Sequence, residues 1–534
     1  MSLTNLKSSQ TLMNAALAGS LAAAIAWAGP PGTDFPAHVF QLHVYLQHGY
    51  ALWTNYWYAG RYTFVGYSLI YYPLAALVGI RLLAVISVAA SAAAFTLVVR
   101  QTWGESSVWV ARFFALVAAA SLITAAFPYG LGLAFALTAL VAVARRRIVP
   151  FAVLALLTFA ASPLAFVFLL VVLAAAGVAR TRHEILKPAI VSAAICAFAV
   201  VLMRLFPDPG HYPFPAAELA MALAFCALGV ALTWRVESAR LLNVLFIAYG
   251  ALCIASYVIP SNLGGNVVRL RFAAVPIAIL VCSLRRWRPM PLAVLALALA
   301  AMWNVSPLIY SFTRSSNDPS AARAYWAPAV HFLHGSLSPD YRVEAVGTAD
   351  HWEAVYLPQA AIPIVRGWYR QDDFPQNEVL YDKLTPRSYL AWLRDLSVRY
   401  VVLSDAAPDY SAKREIALLQ SGRAGLAVVF RSADFTIYEV PAPHPIVTGP
   451  GDPQVEKVTG STITLALPRP GRYQLGIRYT PYLAAPAACV TEAKNGMTVL
   501  TTPTAGTVKV AFSVSATGAI AALTGSRTTC RESH

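Results

Sequence analysis

Acidic residues are scarce over the first three-fifths of this chain. Residues 1–314 hold only six, Asp34, Glu105, Glu184, Asp208, Glu218 and Glu237, against 20 lysines and arginines. Charged residues make up 12% of the 534 positions, about half the ~25% usual in water-soluble domains. That excludes a water-soluble fold for the first three-fifths. Also missing are zinc-ligand spacing, a phosphate-cradling glycine loop and a serine-nucleophile elbow, so a cytosolic ATP-driven mechanism has no support. Cysteines number six. Cys196, Cys226, Cys253 and Cys282 sit in apolar runs and read as small core residues. Cys489 and Cys530 lie in the tail, available to pair if it faces an oxidising space, though sequence cannot show their separation.

What is present is apolar length. Hydrophobic residues reach 58%, and runs near the ~20 residues needed to cross a bilayer recur. The predicted spans are 13–29, 82–99, 111–127, 130–144, 149–161, 164–179, 188–204, 218–234, 241–259, 272–284 and 290–312, about eleven in all. Segment 149–179 reads as a tight hairpin turning at Ser162-Pro163. Residues 13–28 resemble a signal-peptide core, but the spans that follow favour a retained first helix. With the N-terminus inside, thirteen basic residues fall in cytoplasmic loops and only Arg61, Arg204, Arg269 and Arg271 fall opposite. This positive-inside bias puts everything after Arg314 outside. The net charge of +15 is therefore a topology signal. It is no nucleic-acid footprint, because the basic groups are dispersed in short loops.

The organisation expected is a membrane domain over 1–314, an extracytoplasmic α/β domain over 315–445 and a β-sandwich over 446–534. The first outer loop, 30–80, is long and aromatic. Its Trp53, Tyr56, Trp57, Tyr58 and Tyr62 suit a membrane interface, and 36–48 suits an interfacial helix. Residues 205–217 and 260–271 form further outer loops. In the tail, 341–347, 399–404, 426–430 and 435–440 are strand-like. Thr385-Pro386 opens a helix to about 397, and a second helix covers 411–421. Residues 453–530 alternate apolar and polar with Pro and Gly between, the pattern of a sandwich.

Ionisable groups at a membrane edge are the candidates for chemistry. Asp34, in GTDFPAH just past the first span, is placed to act as a general base or a metal ligand, or else to cap the helix that follows. His38 falls four residues on, near the same rim. Arg269 and Arg271, behind a flexible Gly264-Gly265, suit a lipid phosphate through bidentate contacts, or simply snorkel to headgroups. Asp208 and His211 either line the same cavity or belong to a proline-stiffened connector. His43 and His48 read as interfacial. HWE (351–353) and GWYRQDDF (367–374) are placed to meet a sugar acceptor or to form a seam with the membrane part.

One span, an outer loop opening with an acidic residue, many more spans and a C-terminal α/β domain together resemble the GT-C superfamily of polyprenyl-phosphate-sugar-dependent glycosyltransferases. More narrowly, DFPAHVFQ and LWTNYWYAGRYTFVGYSLIYYPLAAL are similar to bacterial membrane proteins labelled "6-pyruvoyl-tetrahydropterin synthase-related". ASPLAF (161–166), GGNVVRLRF (264–272), RYVVLSD and FTIYEVP are similar to later motifs of that group. The resemblance implies Asp34 at the catalytic centre and Arg269 or Arg271 on the donor phosphate. Many GT-C enzymes carry two adjacent acids in the first loop, whereas Asp34 stands alone, which leaves a divalent metal possible but unassigned.

The function expected is transfer of a sugar from a polyprenyl-phosphate donor to an envelope glycan, lipid or protein acceptor. The setting would be the outer face of a bacterial plasma membrane, with lipids as the other partner and no nucleic acid. Two alternatives stand beside it: a non-catalytic membrane-anchored glycan-binding or assembly protein, and a transporter or flippase. Transporters usually carry charged groups at mid-membrane, whereas here they lie at the edges.

Overall fold

The computed structural model describes residues 3–179, 182–208, 210–382, 384–486 and 488–526. Cys530 lies outside the described residues. The chain divides into two compact units. One comprises Met1–Phe35, Tyr67–Val200 and His211–Asn317; the other comprises Pro36–Gly66, Val201–Gly210 and Asp318–His534.

The first unit is helical and belongs to a multi-pass membrane protein. The eleven predicted spans fall on eleven α-helices, but among the described residues only eight continuous stretches are long and apolar enough to cross a membrane. Two reasons account for the difference. Residues Ile80–Leu122 form one apolar stretch of 43 residues, which breaks at Gly104 (φ 59°) into the helices Ile80–Trp103 and Val108–Val117. The hairpin helices Ile148–Ala161 and Pro163–Ala179 have 14 and 17 residues, short of a full crossing. Ser162 is extended between them, as expected for a residue preceding proline. The core centres on Phe225, Phe246, Tyr249, Phe272 and Trp303. Cys226, Cys253 and Cys282 are buried free thiols there.

The second unit contains a four-stranded sheet in the order Arg342–Ala345, Val398–Ser404, Phe435–Glu439, Ala427–Arg431. The first pair is parallel and the others antiparallel. Helix Pro386–Asp395 starts with a capping box between Thr385 and Ser388, which satisfies donors that the first turn would leave orphaned. Two further four-stranded antiparallel sheets follow. One runs Cys489–Glu492, Met497–Thr502, Gly471–Arg478, Val447–Thr448; the other runs Leu483–Ala484, Gly506–Phe512, Thr462–Leu467, Gln454–Val458. Ile463, Leu465, Tyr473, Leu475 and Leu500 share one core between them. A closing helix, Ala516–Thr524, was not expected from the strand-like pattern, although Ser515 caps its start and Gly525 ends it in the left-handed region.

The first loop departs most from expectation. Trp53, Trp57 and Tyr58 are buried within the second unit, and Tyr56 and Tyr62 are half-buried there. Trp53 joins the core of the paired sheets and stacks on Phe512 at 5.5 Å. Trp57 stacks on Phe40 at 4.0 Å and donates Nε1–H to the Ala354 carbonyl. The Tyr58 hydroxyl donates to the Tyr369 carbonyl. Helix Phe35–His48 likewise buries Phe40, Gln41 and Val44. An aromatic ring with one polar atom suits a lipid headgroup region and a buried backbone carbonyl equally well. Here the carbonyls take the hydrogen bonds.

Candidate functional site

The site is built where the first helix ends. Helix Leu3–Ala28 gives way to Gly29-Pro30-Pro31. Gly32 then adopts φ +88°, and a Cβ there would meet the Ile123 carbonyl oxygen at 2.8 Å. The Asp34 amide donates to the Thr124 carbonyl at 3.1 Å, and the Ser311 hydroxyl donates to the Ile123 carbonyl at 2.8 Å. The acidic residue is thus stapled to the turn before helix Phe127–Ala144 by backbone contacts.

Arg269 and Arg271 come from Gly264–Ala273, a 3₁₀ helix and not an open loop. Gly264 and Gly265 are buried. A Cβ on Gly264, at φ +39°, would lie 1.9 Å from the Tyr212 carbonyl oxygen. The Tyr212 amide donates to the Ser261 carbonyl, so the two segments around residues 212 and 261–265 run against each other. The helix is anchored further by Tyr249, whose hydroxyl donates to the Val267 carbonyl, and by Asn304, whose amide donates to the Arg271 carbonyl.

With three residues per turn, positions two apart point about 120° away from each other. The two arginines accordingly reach different acids. Arg269 Nη2 donates to Asp34 Oδ2 at 3.0 Å, with side-chain exposures of only 18% and 14%. Arg271 Nη1 lies 3.4 Å from Glu218 Oε2, which is more exposed. Arg271 Nε is buried with no partner among the described residues. Burial raises the Asp34 carboxyl above the usual carboxylate range, while Arg269 and then Arg271 pull it back. Tyr67, Tyr129 and Tyr212 lie within electrostatic reach of Arg269. The result is a nearly neutral cluster of two carboxylates and two guanidiniums, most deeply buried at Asp34 and Arg269.

The other sequence candidates distribute differently. His211 belongs to the same unit and precedes Tyr212. His38 is fully buried in the second unit. Asp208 is also in the second unit, where the Gly210 amide donates to it and Arg61 and Asp372 feel its charge. Glu218 is the site residue that sequence reasoning passed over, although scarcity already marked it as one of six acids. No group of three His, Cys, Asp or Glu side chains among the described residues converges as a metal site requires. Since Arg269 already engages Asp34, these residues do not fit a metal.

The charged motifs of the second unit are engaged mainly with each other. His351 Nδ1 lies 3.0 Å from Glu353 Oε1, and Arg370 Nη2 donates to both oxygens of Asp409 at 3.1 Å. Arg61 Nε lies 2.9 Å from Asp372 Oδ2, its guanidinium 4.1 Å from the Tyr369 ring centre. Arg366 lies between Glu344 at 3.3 Å and Glu415 at 3.7 Å. Sequence gave no sign of that last group beyond a glutamate inside a strand.

No family model matches the chain, and no curated protein matches it. Among solved structures it is similar to the arabinofuranosyltransferase AftD from Mycobacteria, with 16% identity and a TM-score of 0.46. That match covers 86% of this chain and 41% of the other, so this chain spans well under half of that protein. It is also similar to the oligosaccharyltransferase AglB from Archaeoglobus fulgidus, solved with an inhibitory peptide and a dolichol-phosphate. There the identity is 14% and the TM-score 0.32, over 74% of this chain and 69% of the other.

Proposed function

We propose that the protein is a membrane glycosyltransferase that moves a sugar from a polyprenyl-phosphate donor to a cell-envelope acceptor. It would act at the outer face of a bacterial plasma membrane, with its N-terminus cytoplasmic and its second unit extracytoplasmic. The observation that carries this reading is the buried pair of Asp34 and Arg269 at the end of the first helix, with Arg271 two residues on.

In this mechanism the donor phosphate takes the guanidinium of Arg269, as planar donors favour phosphate oxygens. Losing its partner, Asp34 becomes a buried carboxylate of raised basicity, suited to proton abstraction. The acceptor oxygen attacks the anomeric carbon and its proton passes to Asp34. The bond from that carbon to the phosphate oxygen breaks, and its electron pair leaves with the phosphate. Negative charge grows on the departing oxygen, and Arg269 and Arg271 stabilise it. We assign His211 to the substrate side, beside Tyr212.

The competing reading, a membrane-anchored glycan-binding protein without transfer, has one observation behind it: Asp34 is already engaged by Arg269. The experiment is comparative analysis of envelope glycans in a deletion strain complemented with wild type or Asp34→Asn. Transfer requires that wild type restore a missing structure and the variant fail. Identical glycans in the deletion, wild-type and variant strains would overturn it.

A further inference from the structure

The second unit carries a groove that the transfer chemistry does not use. Its volume is about 590 Å³, inside the ~300–1,000 Å³ typical of small-molecule sites. Arg323, Trp326 and Tyr356 line it, together with His331 and His334. The two histidines lie with Ala327 and Val330 on helix Ala327–Ser336, at spacings that share one face.

The walls are held in place. Trp326 Nε1 donates to the Ser320 carbonyl at 2.8 Å, and the Tyr356 hydroxyl donates to the Ala321 carbonyl at 2.6 Å. Tyr356 also stacks on Trp352 at 5.5 Å. His334 Nε2 lies 2.8 Å from the Ala360 carbonyl. A carbonyl only accepts, so this nitrogen carries a proton and the other ring nitrogen is left for a ligand.

The charge is one-sided. No carboxylate lines the groove. Arg61, Arg366, Arg370 and Arg399 in the same unit each hold a carboxylate. Arg323, exposed at the groove, forms no ion pair among the described residues. The positive field extends to helix Phe35–His48. There His43 is held below the usual imidazole range by burial first, then by repulsion from His48 and Arg323.

We infer that this groove binds an acidic saccharide, a sugar unit bearing a carboxylate or phosphate. Arg323 and His331 take the acid group, and Val330 with the Tyr356 ring takes the apolar face of the sugar. The inference goes beyond sugar transfer and does not need it, since binding here uses neither Asp34 nor Arg269.

The test uses the full chain in phosphatidylcholine nanodiscs. Labelled hyaluronan tetrasaccharide, which carries uronates, is titrated against neutral chitotetraose. Saturable binding is expected for the first and binding at least tenfold weaker for the second. Arg323→Gln should weaken the uronate probe about tenfold, Arg323→Lys less and His331→Gln about threefold. Both positions are exposed, so unchanged melting is expected alongside. Asp34→Asn should bind like wild type, which separates failure of this inference from failure of the transfer reading. Equal binding of the neutral probe, or no change in Arg323→Gln, would overturn the inference. So would loss of uronate binding when phosphatidylglycerol is added to the nanodisc, since the groove would then be a lipid headgroup site.

Discussion

Removing the Asp34 carboxylate alone should destabilise the first unit, and removing Arg269 as well should restore it. The two groups meet at 3.0 Å and are largely hidden from solvent. Breaking a buried pair by deleting one partner costs about 3–5 kcal/mol, because the survivor is left charged and unpaired. The slight residual exposure of both groups puts each single variant, Asp34→Asn or Arg269→Gln, near ~3 kcal/mol. Replacing both charges by neutral groups of similar shape is often close to neutral, so the double variant should lie within about 1 kcal/mol of wild type. The singles would sum to about 6 kcal/mol, leaving a coupling of about 5 kcal/mol. Thermal melting of the four purified proteins in one detergent measures it. Envelope glycans from complemented deletion strains give the second axis. If Asp34 serves only to neutralise Arg269, the double variant regains function along with stability. If the pair performs transfer, stability returns and the glycan does not. A double variant as unstable as the sum of the singles would refute the energetic reasoning, and one that restores the glycan would refute the chemistry.

Three further outcomes follow from single positions. Arg342 is buried with Nε and Nη2 lacking partners among the described residues, and burial followed by the nearby Arg478 pushes its guanidinium down to about 9. Its folded value is below its unfolded one, so stability should rise as pH climbs above about 9. Arg342→Met should raise the melting temperature at neutral pH, by about 1–3 kcal/mol of stability; a lower melting temperature would contradict this. Gly264→Ala places a Cβ 1.9 Å from the Tyr212 carbonyl oxygen at a positive φ, so a loss of about 3 kcal/mol or more, or failure to fold, is expected in melting and expression assays. For Asp409, burial alone would raise the carboxyl, but His351, Arg370 and Ser411 outweigh it and hold it well below the usual range. Its stabilisation is then complete above the ordinary carboxylate pKa near 3.8 and is lost as pH falls below that. Asp409→Asn should flatten this acid limb of the melting curve and cost about 3 kcal/mol at neutral pH.

The parts of the fold legible in sequence were those written in a single period. Apolar runs and their flanking basic groups located eleven helices because exclusion from water acts on each segment alone. Strands Val398–Ser404 and Phe435–Glu439 were found to within a residue, since β-branched runs bounded by turn residues carry their own signal. The destination of the first loop was hidden. Trp57 and Tyr58 look the same whether headgroups or protein carbonyls receive their hydrogen bonds, and Trp53 looks the same whether its ring meets lipid or another ring. The deciding partners, Phe512, Ala354 and Tyr369, come some 300 to 460 positions later in the chain.

The candidate site divides along the same line. Asp34 was legible through scarcity: where acids are almost excluded by the solvent, each one that persists needs a partner, and the nearest opposite charges at the same edge were Arg269 and Arg271. The same argument applied to Glu218, yet it names a requirement and not an assignment. Two acids and two guanidiniums permit two pairings, and the structure shows one of them, on the 3₁₀ helix Gly264–Ala273. An α-helix there would separate positions 269 and 271 by about 200° in place of 240°. The start of that helix packs Gly264 against the Tyr212 carbonyl, a contact between segments about fifty residues apart. Local propensity cannot encode it, so the sequence could name the charged groups while their pairing had to come from packing.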